Sequence, residues 1–99
     1  MTKKITIAIK EPAKAWHIAD VEDALPTYQQ IVGGYIECFR TSYNGICFFC
    51  NEEGKLLDLE PNIVSGDDVI CGTIFAVRSN EEGEFVSLNP ADKSFFEGI

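Results

Sequence analysis

Basic residues are scarce in this chain, and long apolar runs are missing. Eight Lys and Arg stand against sixteen Asp and Glu, a net charge of −8. Lys3, Lys4, Lys10 and Lys14 supply half of the cations within the first fourteen positions, so the rest of the chain carries four basic and fifteen acidic side chains. A surface of that sign repels phosphates at long range, which excludes a nucleic-acid footprint built on a basic patch. No stretch approaches the roughly 18 apolar residues of a membrane-spanning helix. The N-terminal "ITIAI" is shorter than the roughly 7–15 residues of a secretory leader's apolar region. Its alternation of Ile5, Ile7 and Ile9 is that of a strand. A cytoplasmic location and reduced thiols are therefore expected.

Histidine occurs once, at His17, and the four cysteines do not form two metal-ligand pairs. Cys47 and Cys50 have the C-x-x-C spacing, but Cys38 and Cys71 stand alone. A zinc knuckle needs a tight turn between its cysteines, and Phe48 with Phe49 are poor residues for one. A redox pair sits at a helix N-terminus, whereas "NEEGK" follows Cys50. The segment reads as a strand, in which positions three apart point to opposite faces. A cysteine nucleophile with His17 as base would need both to meet in the fold, and a thiol in an apolar strand is normally core. "SGDD" and "NEEG" lack the alternating oxygen ligands of a calcium loop. No catalytic residue, metal or cofactor is assigned.

Ninety-nine residues, 45% of them hydrophobic, suffice for a single domain spanning 1–99. "KITIAIK" and "KAWHIAD" read as strands, the second with Trp16 and Ile18 on one face. "VEDALPTYQQIVGG" reads as the principal helix, with Asp23 as N-cap, Pro26 in the first turn and Gly33 as a left-handed C-cap. Leu25, Tyr28, Ile31 and Val32 make its apolar stripe. "YIECFR" and "GICFFC" follow as strands joined by the turn "TSYNG". "NEEG" occurs at 51–54 and 80–83, each time between apolar runs, and predicts two hairpins. "LDLEPNIVSGDD" reads as a loop, with room for one helical turn, and "DVICGTIFAVRS" as a long central strand in which Gly72 marks a bulge or a close approach by another group. Trp16, Phe39, Phe75 and Phe85 are expected in the core. Asn89, Pro90 and Gly98 bracket a short C-terminal helix anchored by Phe95 and Phe96. The class is α+β: a mainly antiparallel sheet of about five to six strands with one principal helix and a short C-terminal helix.

The order and spacing of "IVGGYIE" (31–37), "NEEGKL" (51–56), "PN" (61–62) and "GTIFAV" (72–77) resemble those of a family of bacterial and phage domains, domain-of-unknown-function family 3846. The likeness spans roughly residues 3–88. It implies a compact α+β domain and an accessory role in a phage or mobile element, and no reaction. Pro26 within the helix, and Cys47 and Cys50 in place of aliphatic residues, depart from the family pattern.

Two sites follow as expectations. Gly33, Gly34, Asn51, Glu53, Lys55 and Asn62 form a candidate ligand cluster for a nucleotide-like molecule: amides read edges, a lysine meets phosphate and glycines admit close approach. The alternative reading gives Asn51 and Gly54 to a turn, Lys55 to solvent and Asn62 to a helix cap. Glu52, Glu53, Asp67 and Asp68 form a candidate acidic surface for a basic protein partner. The leading functional expectation is a non-enzymatic accessory protein acting by stoichiometric binding, as an inhibitor of a host defence or nucleic-acid-processing protein. Capture of a small molecule is the alternative, and an edge strand offers a route to a dimer.

Overall fold

The computed structural model describes residues 3–42 and 44–99. In chain order the elements are β1 (Lys4–Lys10), β2 (His17–Glu22), α1 (Leu25–Val32), β3 (Ile36–Thr41), β4 (Ile46–Asn51), β5 (Pro61–Ser65), β6 (Asp68–Cys71), β7 (Ile74–Ser79), β8 (Phe85–Val86) and α2 (Pro90–Glu97). Six strands make one antiparallel sheet in the order β2-β1-β7-β4-β3, with β8 also paired to β7. β5 and β6 form a separate antiparallel hairpin.

Both faces of the main sheet are covered, and the alternation of side chains sorts the core between them. Ile5 and Ile7 of β1 and Phe75 and Val77 of β7 meet Tyr28 and Val32 of α1. Their neighbours Ala8 and Ala76 point the other way, to Ile46, Leu88 and Phe96. Farther along that second face, Cys50 and Ile74 pack on Ile70 and Ile63 of the β5–β6 hairpin. The layers are therefore α1, the sheet, and α2 side by side with the hairpin. Residues 74–77 of β7 are fully buried because covered layers lie on both sides of them. Each large apolar side chain buried there contributes about 1.5–3 kcal/mol.

Several expected boundaries differ. Ala24, not Asp23, is the N-cap of α1, and it makes no side-chain cap bond. The Asp23 carboxylate instead accepts a hydrogen bond from the Tyr28 hydroxyl at 2.7 Å. Burial and this carboxylate both raise the Tyr28 pKa. Leu25 falls off the buried stripe and is 54% exposed. Gly33 does end the helix with φ of 80°. The turn "TSYNG" joins β3 and β4, with Tyr43 outside the described residues.

The stretch read as a loop contains β5 and the turn into β6, which pair as a hairpin with Ile63 opposite Ile70 and Val64 opposite Val69. The long strand expected at 68–79 breaks at Gly72, whose φ is 87°. A β-carbon there would lie 2.8 Å from Leu59 Cδ1. The chain turns the corner at that glycine, from the hairpin into the central strand.

The two "NEEG" copies fold differently. The second closes the β7–β8 hairpin, where the Asn80 side chain accepts bonds from the Glu82 and Glu84 amides at 3.0 Å. After the first, residues 52–58 wind through turns, tied by Leu57 N–H to the Glu53 carbonyl and Leu59 N–H to the Gly54 carbonyl. Buried Gly54 sits against the Cys71 carbonyl oxygen, 2.8 Å from where a β-carbon would be. Only a residue without a β-carbon fits so close to β6 there.

α2 starts with a full capping box, Asn89 with Asp92, and Pro90 in its first turn. Phe96 is buried, whereas Phe95 is 57% exposed. Of the other aromatics expected in the core, Phe75 is fully buried, and Trp16, Phe39 and Phe85 are half-buried. Among the described residues no helix is long and apolar enough to cross a membrane.

Candidate functional site

Edge strand β3 is irregular, and that irregularity builds the site. Cys38 pairs with Phe49 but Arg40 with Phe48, so Phe39 is one residue too many. An inserted residue of this kind re-aims side chains. Phe39 packs towards Cys50, Ile70 and Ile74, and Arg40 lines a cavity with Phe48. Consecutive residues thus share one face. On the other side the Cys38 thiol meets Thr41 Oγ1 at 3.4 Å, a contact that a regular strand would forbid at this spacing.

Phe39 walls a cleft of about 220 Å³ between the turn after β4 and the hairpin strand β6. Glu37, Glu52, Glu53 and Asp68 line it, and Lys55 is the one basic residue of the lining. Lys55 forms an ion pair with Asp68 that bridges the two walls. Hydrogen bonding between them raises the Lys55 pKa and lowers that of Asp68. Glu37, Glu52 and Glu53 make no salt bridge among the described residues. The cleft also carries apolar surface: Leu56 is 83% exposed and Val69 is 41% exposed. Burial, reinforced by the charges of Glu37 and Asp68, pushes the Cys50 thiol at its floor up to about 11.

The six residues of the expected ligand cluster do not converge on one cavity. Asn51 is buried, and its amide group is occupied: Nδ2 donates to the Val32 carbonyl at 3.1 Å, and Oδ1 accepts from the Glu53 N–H at 2.7 Å. It locks the end of α1 to the turn after β4. Gly34 lies against this amide, where a β-carbon would come within 2.8 Å of Asn51 Nδ2. Gly33 is the left-handed cap and is not in the cleft lining. Lys55 and Glu53 do reach the cleft. Asn62 belongs to another network, accepting from Lys10 Nζ at 2.6 Å and donating to the Lys10 and Gly72 carbonyls at 2.9 Å. It is a strand residue that ties the hairpin to β1, and caps no helical turn.

Of the expected acidic surface, Glu52, Glu53 and Asp68 line the cleft, and Asp67 stands exposed beside them in the β5–β6 turn. Cys47 and Cys50 lie in one strand. The Cys47 thiol approaches Ser79 Oγ at 3.5 Å, while Cys50 packs with Ile70 and Ile74.

The family model described as "Domain of unknown function (DUF3846)" matches residues 5–98. The chain belongs to that family. The matched span of this DUF3846 domain takes in every side chain of the acidic cleft. No curated protein and no solved structure matches it.

Sequence reasoning missed Glu37 and Phe39 as members of the cleft of the DUF3846 domain. The signal was present in "ECFRT", where polar and aromatic residues do not alternate as a regular edge strand requires. Leu56 and Leu57, five and six residues beyond β4, are exposed and do not form the inward face of a second hairpin strand.

Proposed function

We propose that this DUF3846 domain is a stoichiometric binding module, without catalysis of its own, that receives a basic segment of a partner protein in its acidic cleft. The observation that carries this reading is the charge of the lining: four carboxylates face one lysine, and that lysine is already paired with Asp68. A lysine or arginine side chain combines an aliphatic stem with a charged head. The stem suits Phe39, Leu56 and Val69, and the head suits Glu37, Glu52 and Glu53. A net charge of −8 adds long-range steering towards a basic surface.

In the setting that the family resemblance implies, the partner is a host defence or nucleic-acid-processing protein whose phosphate-binding face the domain occupies. The protein would act in the cytoplasm. Capture of a nucleotide fits less well, because phosphates entering the cleft meet carboxylates and Lys55 is engaged.

The test uses an arginine-rich peptide titrated into the full chain by calorimetry at low salt and at about 0.5 M salt, where screening is strong. One-to-one binding that weakens at high salt, and is lost in a Glu37→Gln, Glu52→Gln, Glu53→Gln variant, is expected. Binding that the triple variant retains, or that salt leaves unchanged, would overturn the reading.

A further inference from the structure

A second cavity lies on the same face of the sheet, between α2 and the β3–β4 end, and encloses about 470 Å³. This volume falls within the range of about 300–1,000 Å³ typical of small-molecule sites. Its walls are aromatic. Trp16 and Phe96 have ring centroids 4.8 Å apart at 53°, and Phe48 lies 6.1 Å from each of them. Phe95 stands on Phe96 at 5.3 Å and 82°, with more than half of its surface open to solvent. Faces and edges of several rings are therefore offered to one volume, an arrangement that suits a flat aromatic guest.

The charge at this cavity is opposite to that of the cleft. Arg40 and Asp92 are the charged side chains in its lining. Asp92 is spent: Arg78 Nε and Nη2 donate to its two oxygens at 2.8 and 2.7 Å, and the Asn89 N–H donates at 3.0 Å. Arg40 makes no ion pair among the described residues. The bulge at Phe39 turns it onto this face. A guanidinium beside apolar walls favours a carboxylate, which it meets with paired N–H donors.

We infer that this cavity is a binding site for a small, flat aromatic monoanion, held by stacking among Trp16, Phe48 and Phe95 and by its carboxylate on Arg40. In this arrangement the ring rests against Phe95 of α2 and the carboxylate meets Arg40 of β3, both of which line the cavity. This site is independent of the acidic cleft and of its partner.

Trp16 is the sole tryptophan, so its emission reports on the cavity directly. The experiment titrates the full chain with trans-cinnamate, cinnamyl alcohol and cinnamylamine, which share a ring and differ in charge, following Trp16 emission and heat of binding. Cinnamate is expected to bind one-to-one and at least about tenfold more tightly than the amine, the selectivity of one charge-assisted pair. Arg40→Gln should bring cinnamate to the affinity of the alcohol with the melting temperature unchanged, since Arg40 is exposed. Phe95→Ala should weaken all three ligands together. Equal affinity for cinnamate and cinnamylamine, no response of Trp16 to any of the three, or an undiminished preference in Arg40→Gln would overturn the inference.

Discussion

Phe39 and Arg40 are adjacent in sequence and lie on the same face of the sheet, one walling the acidic cleft and the other the aromatic cavity. A bulge of one residue thus sets two pockets of opposite charge side by side. Deleting Phe39 leaves Cys38 opposite Phe49 and Arg40 opposite Phe48 in a regular ladder. The deletion variant is expected to remain folded, to lose arginine-peptide binding and to keep the Arg40-dependent preference for aromatic anions. Parallel titrations of the two probes, with a melting curve as control, would check this. Loss of anion preference in a folded deletion variant would show that Arg40 does not owe its placement to the register.

Asn51 and Gly34 depend on each other. Asn51→Ala strips the Val32 carbonyl and the Glu53 N–H of their partner in a buried place, which costs about 1–3 kcal/mol. For a domain of this size the melting temperature should fall by about 4–8 °C per kcal/mol. Gly34→Ala should also destabilise, because its methyl group would press on the Asn51 amide. In the Asn51→Ala background that clash is absent, so the two losses are predicted to be non-additive. A double-mutant cycle by thermal denaturation measures the coupling.

The Arg78–Asp92 pair predicts an acid limb in the stability curve. The Arg78 guanidinium, and then the Asn89 N–H, hold the Asp92 carboxyl below the usual carboxylate range. A carboxylate with a lowered folded pKa stabilises above its unfolded value of about 3.9, and this contribution is lost as pH falls through the folded value. Asp92→Asn keeps an oxygen for the capping box but abolishes the charge. It should cost about 1–3 kcal/mol at neutral pH. Its urea midpoint should then change less than that of the parent between about pH 5 and pH 2. An equally steep acid limb in the variant would assign the effect to other carboxylates.

The thiols should differ in reactivity. Cys38 is exposed on the edge strand, whereas Cys50 is buried and remains protonated until about pH 11. Since the thiolate is the reactive form, a maleimide or disulfide reagent at neutral pH should label Cys38 in the native protein and Cys50 only after unfolding. Peptide mapping after brief labelling distinguishes them. Rapid native labelling of Cys50 would mean that the cleft floor opens to reagents.

Local chemistry was legible wherever neighbouring residues decide the conformation. The alternation in "KITIAIK" needs only a period of two, the "NPAD" start of α2 needs only the reach of one side chain to a nearby amide, and Gly33 needs only its freedom at positive φ. The acidic balance and the membership of the family were equally present in the chain. The two "NEEG" segments show where that ends. They are identical in sequence, yet one closes a hairpin and the other enters a run of turns in which Gly54 lies close against the Cys71 carbonyl of β6. Asn51 and Asn62 looked like ligand residues, and tertiary hydrogen bonds engage both within the fold. The cleft and the cavity were decided later still. Glu37, Glu53 and Asp68, or Trp16, Arg40 and Phe95, are far apart in the chain and meet only because two covering units, hairpin and helix, share one face of a sheet whose edge carries an extra residue. Sequence by itself determined the locally coded elements, β1, α1, β7 with its hairpin and α2, and the sign of the surface, since propensity and charge act over a few residues. Placement of one element on another was left to the tertiary structure, because it follows from which buried faces fit together.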